Sequence, residues 1–287
     1  MNADSQMLDS PFPGPVLITG CSTGVGHAAA LASRAAGFET FAMARDPAPL
    51  DDLRRAGCHT LQLDVTDEDA RQAVIGTILA QFGAVGVLLN NAGYGQHGPV
   101  EEVTLGCGFS SKPTCSADCG SSSLCCPPCG TGGSSHHQCQ LGRGTHHILG
   151  GGAYHASKFA IEALANSPRP EVEGFGIDVI NALPGPIATQ FETTLIERSP
   201  TPGSKVRISN FKKHLARRMR AFLKPGGLGV LTAGKVAGVI VKAASVKRPR
   251  SRYRVGLVAN LGPIGRALTA DRLVDFITMQ EVSNKKD

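Results

Sequence analysis

Tyr154 and Lys158, in the string Tyr154-His155-Ala156-Ser157-Lys158, place a phenol and an ammonium four positions apart. That spacing puts both on one face of a helix. Held so close, the cation favours the phenolate, and the tyrosine can exchange a proton with an alcohol or a carbonyl near neutral pH. Taken alone, such a pair more often forms an ordinary solvated helix surface. A catalytic reading needs a cofactor site earlier in the chain.

Such a site is present. Val16-Leu17-Ile18-Thr19 has the pattern of a short buried strand, and it runs into Gly20-Cys21-Ser22-Thr23-Gly24-Val25-Gly26 and then an Ala-rich helix from His27 to Ala36. Glycines in that turn let the backbone approach a pyrophosphate, which sits on the free N–H groups of the helix N-terminus. Two further strands end in polar residues suited to a nucleotide. Leu61-Gln62-Leu63-Asp64-Val65 ends in a carboxylate, and Val87-Leu88-Leu89-Asn90-Asn91-Ala92-Gly93 ends in amides and glycine.

Together these residues resemble the short-chain dehydrogenase/reductase family, from about Val16 to Gly106 and again from Gly151 to about Gln280. The glycine turn matches its Thr-Gly-x-x-x-Gly-x-Gly, the Asn-Asn-Ala-Gly run and Tyr-x-x-x-Lys are intact, and Pro184-Gly185-Pro186-Ile187-Ala188-Thr189 matches its Pro-Gly segment. The resemblance implies a doubly wound α/β Rossmann fold with a mostly parallel sheet and an enzyme interconverting an alcohol and a carbonyl with NAD(P). It assigns Tyr154 as acid/base, with Lys158 lowering its pKa and binding the nicotinamide ribose. Thr19, Gly20, Ser22, Thr23, Gly24, Val25 and Gly26 would bind the pyrophosphate, Asp64 and Val65 would flank the adenine, and Asn91, Ala92 and Gly93 would line the cofactor ribose. Pro184 and Gly185 lead into Ile187 and Thr189, which would hold the carboxamide. The C-terminal half, including Tyr253-Arg254-Val255-Gly256, is similar to the retinol and hydroxysteroid dehydrogenase-like branch and suggests a lipophilic substrate.

Charge at the end of the second strand, Phe38 to Ala44, bears on cofactor choice. An acidic residue there accepts from a ribose 2'-hydroxyl, whereas an arginine accommodates a 2'-phosphate. This chain has Ala44-Arg45, which favours NADP(H) over NAD(H), unless Arg45 pairs with the adjacent Asp46.

A length of 287 residues suits one large α/β domain, expected over 15–280, with a disordered tail at 1–14 and a short tail at 281–287. The N-terminus has no apolar core of signal-peptide length, and no window approaches a membrane span, so a cytoplasmic protein is expected. The net charge of +6 is uneven, with 15 Lys or Arg and no Asp or Glu from Lys205 to Asn260. Within that stretch Phe211, Leu215, Met219 and Phe222 recur near helical spacing. The first reading is an amphipathic helix in a substrate lid at about 190–225, the second a basic helix resting on anionic lipid. Nucleic-acid binding ranks third, because Arg252 to Val258 also reads as a last strand. A small-molecule partner is expected, and a homo-oligomer by family resemblance.

Between Gly106 and Gly150 the periodic pattern vanishes. Seven of the nine cysteines lie there, with eight serines, nine glycines and four histidines, against five large apolar residues. Such a stretch is expected to be irregular and unable to supply a core strand and helix. Cys115, Cys119, Cys126, Cys129, Cys139, His136, His137, His146 and His147 are zinc-ligand types, but their spacing does not form a clean zinc ribbon, and no metal is assigned. A non-catalytic nucleotide-binding or zinc-carrying interaction protein is the alternative function.

A shift of reading frame explains the block better. Cysteine codons arise when codons for Leu, Val and Met are read one base out of phase. Taking the last base of each codon with the first two of the next, Ser111 to Ala117 permits Gln-Thr-Asn-Val-Phe-Gly, and Ser123 to Gly130 permits Ala-Val-Leu-Pro-Pro-Met-Arg. The other offset, from Gln138 to His147, permits Asn-Val-Ser-Ser-Val-Ala-Gly-His-Ile. These strings resemble the family's fourth helix and fifth strand, in family order. The second Ser of the last string falls over Leu141 and Gly142, about 13 positions before Tyr154, where the catalytic Ser belongs. As written, no Ser occupies positions 136–156 and no Asn lies between Asn91 and Asn166. Each such group contributes about 10² to 10³ in rate, so weak turnover is expected of the chain as it stands. Pro168, inside the helix that Tyr154 begins, marks either a single-base Leu-to-Pro change or a kink.

Overall fold

The computed structural model describes residues 14–93, 136–141, 151–189, 217, 220–221, 223–274 and 276. The frame is a sequence of strand–helix units: β1 (Val16–Thr19), α1 (Gly24–Ala35), β2 (Thr40–Ala44), α2 (Asp51–Arg55), β3 (His59–Gln62), α3 (Glu68–Phe82) and β4 (Val87–Asn90). It continues with β5 (His136–Leu141), α4 (Gly152–Asn166), α5 (Pro168–Glu173), β6 (Ile177–Pro184), β7 (Ile187–Ala188), β8 (Leu231–Thr232), α6 (Ala233–Ala244), β9 (Arg252–Val255) and α7 (Leu257–Leu268). Seven strands form one sheet in the order β3-β2-β1-β4-β5-β6-β9, and each pairing in it is parallel. β7 and β8 form a separate parallel pair. The fold is the expected doubly wound α/β architecture.

Both faces of the sheet are covered, which explains why its central strands are apolar runs rather than alternating ones. Alternate residues of the same strand serve different layers. Val16 and Ile18 pack in one cluster with Ala29 and Ala30 of α1 and Val236, Ala237 and Ile240 of α6. Leu17 packs in the other with Ile75 and Ile78 of α3, Ala165 of α4 and Val172 of α5. The observed ends of β2, β3 and α1 differ from the sequence expectation by a few residues. β3 stops at Gln62, which puts Asp64 in the turn after the strand, and α1 begins at Gly24 rather than His27.

Three expectations are corrected. The segment 106–150 is not irregular throughout, because β5 pairs Val87–Asn90 with His137–Gln140 on one side and Ile177–Ala182 with His136–Leu141 on the other. Ladder hydrogen bonds come from backbone groups, so a strand between two strongly apolar neighbours forms without an apolar pattern of its own. The rest of 106–150, including the zinc-type ligands outside β5, lies outside the described residues. So do the 1–13 tail, most of the 190–225 lid with Phe211 and Phe222, and 281–287. The last strand is also shorter than expected: it ends at Val255, Gly256 turns the chain at φ 91°, and Leu257 begins a helix.

The third correction concerns Pro168. It does not interrupt a continuous helix. α4 ends at Asn166, Ser167 keeps right-handed helical angles, and Pro168 takes the first position of α5, where a missing N–H breaks no hydrogen bond. Arg169 stays anchored across the break, with Nε donating to Val179 O at 3.3 Å and Nη2 to Asn166 Oδ1 at 3.0 Å. Restoring an N–H with Pro168→Leu should fuse the two helices and raise stability by about 1 kcal/mol, below the full proline penalty. Urea unfolding monitored by circular dichroism measures it, and a lower midpoint would show that the kink is required.

Candidate active site

The strand order reverses between β1 and β4. In an open parallel sheet that reversal opens a crevice at the carboxyl ends of the strands, where ligands bind. One side chain closes its floor. Thr19, the last residue of β1, is 2 % exposed. Its Oγ1 donates to Leu89 O at 3.4 Å and accepts from the N–H groups of Asn91 at 3.1 Å and Ala92 at 3.0 Å. Asn91 reciprocates, its Nδ2 donating to Thr19 O at 2.9 Å and Gly20 O at 3.0 Å. The amide expected to line a ribose therefore also braces the glycine turn.

The turn is pressed against β4 so closely that side chains are excluded. Gly20 has φ 70°, and a Cβ there would stand 2.7 Å from Ala92 Cα. A Cβ at Gly26 would stand 2.4 Å from Asn91 Nδ2 and 2.5 Å from Gly20 O. Gly24, at φ 67°, faces Thr189, whose Cγ2 would lie 3.5 Å from an added Cβ. That contact brings the N-terminal glycine turn and the Pro184–Thr189 segment to one place, although they are far apart in sequence.

The α1 N-terminus has the character of an anion site. Asp67 caps α3 by accepting from Ala70 N–H, and Thr232 caps α6 by accepting from Lys235 N–H. Thr23, at the same position of α1, makes no side-chain cap, and the first turn holds no acidic residue. Its leading N–H groups and the positive end of the helix dipole match a diphosphate. Ser22 is half-buried in the turn, and Val25 packs into the core.

The neighbouring strand ends carry the expected adenosine residues. Arg45, just past β2, is exposed, and its carbonyl accepts from Gln62 Nε2 at 3.0 Å. The surface pairing with Asp46 is not formed: Asp46 Oδ1 accepts from Ala48 N–H at 3.0 Å. Asp64 Oδ1 accepts from Thr66 N–H at 2.9 Å and Thr66 Oγ1 at 2.8 Å. Those two bonds, aided by the field of Arg45 and opposed by partial burial, hold its carboxyl below the ordinary range. Val65 is buried beside it, and its carbonyl accepts from the buried Arg71 at 2.6 Å.

Tyr154 is the third residue of α4 and Lys158 lies one turn further on, both half-buried. α4 follows β5, so its N-terminal turn stands at the same sheet edge as the glycine turn. Sequence reasoning passed over two residues here. His155 is buried at 4 % exposure, with its ring edge-on to Tyr154 at 5.7 Å. At the far end of α4, Arg252 of β9 donates to Glu162 Oε1 at 3.3 Å and Asn166 Oδ1 at 3.1 Å. Arg252 reads in the sequence as the start of a last strand, and the folded register of β9 reveals its partners. His27 of α1, paired with Asp52 at 2.7 Å, is a further link beside the turn. No cluster of three or more metal-ligand residues occurs among the described residues.

Two outcomes follow from the geometry. Gly26→Ala should lower stability by about 1–3 kcal/mol in urea unfolding, because its methyl must displace Asn91 or the Gly20 carbonyl; a smaller loss would mean the turn has slack. Asp64 has a folded pKa below its unfolded one, so it adds stability above the ordinary carboxylate range that disappears as pH falls through the folded value. Asp64→Asn should therefore lose less stability than the parent on acidification, and equal losses would remove Asp64 as a contributor.

Residues 15–107 match the model of the short chain dehydrogenase family. The chain is 33% identical to a short-chain dehydrogenase/reductase of Pestalotiopsis microspora over 178 residues, 61% of this chain and 59% of that protein. It is 32% identical to the NADPH-dependent 1-acyldihydroxyacetone phosphate reductase of Schizosaccharomyces pombe over 187 residues, 62% and 61% of the two chains. The chain thus spans about three fifths of the length of these two curated relatives. A crystal structure of a short-chain dehydrogenase from Streptomyces avermitilis superposes with a TM-score of 0.72 at 27% identity, covering 98% of this chain and all of that one. With the glycine turn, the brace from Asn91 and the seven-stranded parallel order, these findings make the chain similar to the short-chain dehydrogenases, whose family model its residues 15–107 match and on one of whose structures its fold superposes.

Proposed function

We propose that the chain is an NADP(H)-linked oxidoreductase site for an alcohol–carbonyl pair on a lipophilic small molecule, carried by Tyr154 and Lys158. The observation behind it is the uncapped α1 N-terminus beside Gly24 and Thr189, with Arg45 exposed at the end of β2. Backbone N–H groups of α1 would hold the pyrophosphate. Arg45 would pair with a 2'-phosphate, Asp64 and Val65 would flank the adenine, and Asn91, Ala92 and Gly93 would border the ribose. Pro184, Gly185, Ile187 and Thr189 would border the nicotinamide carboxamide. The nicotinamide supplies a hydride donor or acceptor when bound. Tyr154 Oη would give a proton to the carbonyl oxygen or take one from the alcohol, with Lys158 one turn further along α4 beside it. The Schizosaccharomyces relative, named as NADPH-dependent and acting on an acylated substrate, supports the cofactor and lipophilic readings, as does the retinol and hydroxysteroid dehydrogenase-like string Tyr253-Arg254-Val255-Gly256.

We further propose that the reading frame is shifted within 106–150 and that the chain as written turns over poorly. Leu141 ends β5 at the catalytic sheet edge, and the recovered string places a serine over Leu141 and Gly142. The register adds support. Gln140 of β5 lies between Asn90 of β4 and Asn181 of β6. Both flanking amides are buried, and among the described residues neither has a side-chain hydrogen-bond partner. Two buried amides without partners cost about 1–3 kcal/mol for each unsatisfied group. Asn90 and Asn181 would suit a small hydroxyl at the intervening position better, and the first serine of the recovered string falls over Gln140 and Leu141.

Titration of the chain with NADPH and NADH by fluorescence separates these readings. NADPH should bind more tightly, and Arg45→Ala should weaken NADPH roughly 10-fold, the worth of one charge-assisted contact, while sparing NADH. Equal weakening of both would remove Arg45 as the 2'-phosphate partner. A chain carrying the in-frame 106–150 strings should gain carbonyl-reductase turnover that Tyr154→Phe abolishes. Resequencing the codons from Leu105 to Gly151 tests the frame directly: every codon confirmed, or stoichiometric zinc in the purified protein, would sink that proposal.

A further inference from the structure

Arg71, at the end of the first turn of α3, is a cation buried to 6% exposure. Its Nη1 donates to Val65 O at 2.6 Å and its Nη2 to Glu68, while Nε has no partner among the described residues. Val65 and, one helical turn further on, Val74 and Ile75 belong to an apolar cluster. An aliphatic side chain at position 71 would extend that cluster, whereas a guanidinium with an N–H left over costs stability. Packing therefore does not account for Arg71, and what it holds does.

The carbonyl that Arg71 binds belongs to the central peptide of a turn. Asp67 N–H donates to Asp64 O at 3.0 Å, which closes residues 64–67, and Leu63 N–H donates to Ala44 O at 2.9 Å, which keeps the turn against the end of β2 and Arg45. In a planar trans peptide the C=O and N–H point in opposite directions. A cation on Val65 O therefore directs Thr66 N–H to the far side, where Asp64 Oδ1 accepts it at 2.9 Å. Rotating that peptide would withdraw the bond and leave Asp64 with only the hydroxyl of Thr66, at 2.8 Å. Polarising the carbonyl also strengthens the N–H as a donor, since bonds through one peptide reinforce each other. Both bonds fall on Oδ1. Asp64 Oδ2 and the N–H of the buried Val65 have no partner among the described residues, which leaves an acceptor and a donor on adjacent residues.

We propose that Arg71 is a positioning residue for the cofactor's base: by fixing the Val65–Thr66 peptide it aims the second oxygen of Asp64 at the exocyclic amine of adenine. This rests on the dinucleotide reading above, in which Asp64 and Val65 flank that ring. Adenine presents an N–H donor and a ring-nitrogen acceptor side by side, the complement of Asp64 Oδ2 and Val65 N–H. Hypoxanthine carries a carbonyl and a ring N–H at the same two places, so both contacts become mismatched. Arg71 itself touches neither base nor phosphate; its effect passes through the turn.

Fluorescence titration of the full chain with NADPH and with its hypoxanthine analogue, deamino-NADPH, tests this. The parent should prefer NADPH by about 10-fold or more, the worth of one charge-assisted contact. Arg71→Met should erase most of that preference by weakening NADPH alone, and Arg71→Lys, which keeps a charged donor for Val65 O, should retain it. In an Asp64→Ala background, where the preference is already lost, Arg71→Met should change nothing further. Arg71→Gln removes the charge but keeps a polar end, and gives the same readout if Arg71→Met misfolds. An unchanged preference in Arg71→Met, or equal weakening of both dinucleotides, would reduce Arg71 to a support of the fold and overturn the proposal. So would a parent chain that binds both dinucleotides equally. A parent that binds neither would overturn the cofactor reading itself, and this inference with it.

Discussion

The backbone ladder of β5 is the constraint on which the rest of the molecule depends. His136–Leu141 pairs with β4 on one side and β6 on the other. Through it the glycine-turn half, β3-β2-β1-β4, and the half holding β6 and β9 form one sheet. Tyr154 and Lys158 lie on the helix that follows β5, while the glycine turn follows β1. Their placement at one edge rests on those strands being parallel and hydrogen-bonded through this single intermediary. The ladder needs only N–H and C=O groups, which every residue there supplies.

The side chains flanking β5 fit less well than its backbone. Asn90 and Asn181 are buried on either side of Gln140 without side-chain hydrogen-bond partners among the described residues, while the brace one residue later is fully used, with Thr19 and Asn91 exchanging bonds across the β1–β4 gap. That contrast between a satisfied brace and an unsatisfied row falls at the boundary of the anomalous block. It gives the frame-shift proposal a structural motive that composition alone could not provide.

Buried groups that take no part in the proposed chemistry serve the same edge. Cys21, fully buried in the turn, has its thiol pushed up to about 12 by burial. It donates to Ile18 O and behaves as a small apolar filler rather than a nucleophile. Arg252 and Arg169 converge on Asn166 Oδ1 at the far end of α4. They hold the helix that presents Tyr154 against β6 and β9, and desolvation, with the nearby Arg252 guanidinium adding to it, holds the Arg169 side chain below its ordinary pKa.

Local spacing carried much of this in the sequence. Val16–Thr19 followed by Gly20, Gly24 and Gly26 determined the strand, turn and helix, because apolar period and glycine conformation are properties of neighbours in the chain. Tyr154 and Lys158 fell on one helix face for the same reason. The pattern failed where strand formation depends on partners, at β5, and where a proline could begin a second helix, at Pro168. Only the tertiary structure decided that Asn91 braces the Gly20 turn, that Arg252 binds Glu162 and that Thr189 meets Gly24. Those outcomes join residues distant in sequence, so they are set by strand order and packing against neighbours, which no local periodicity encodes.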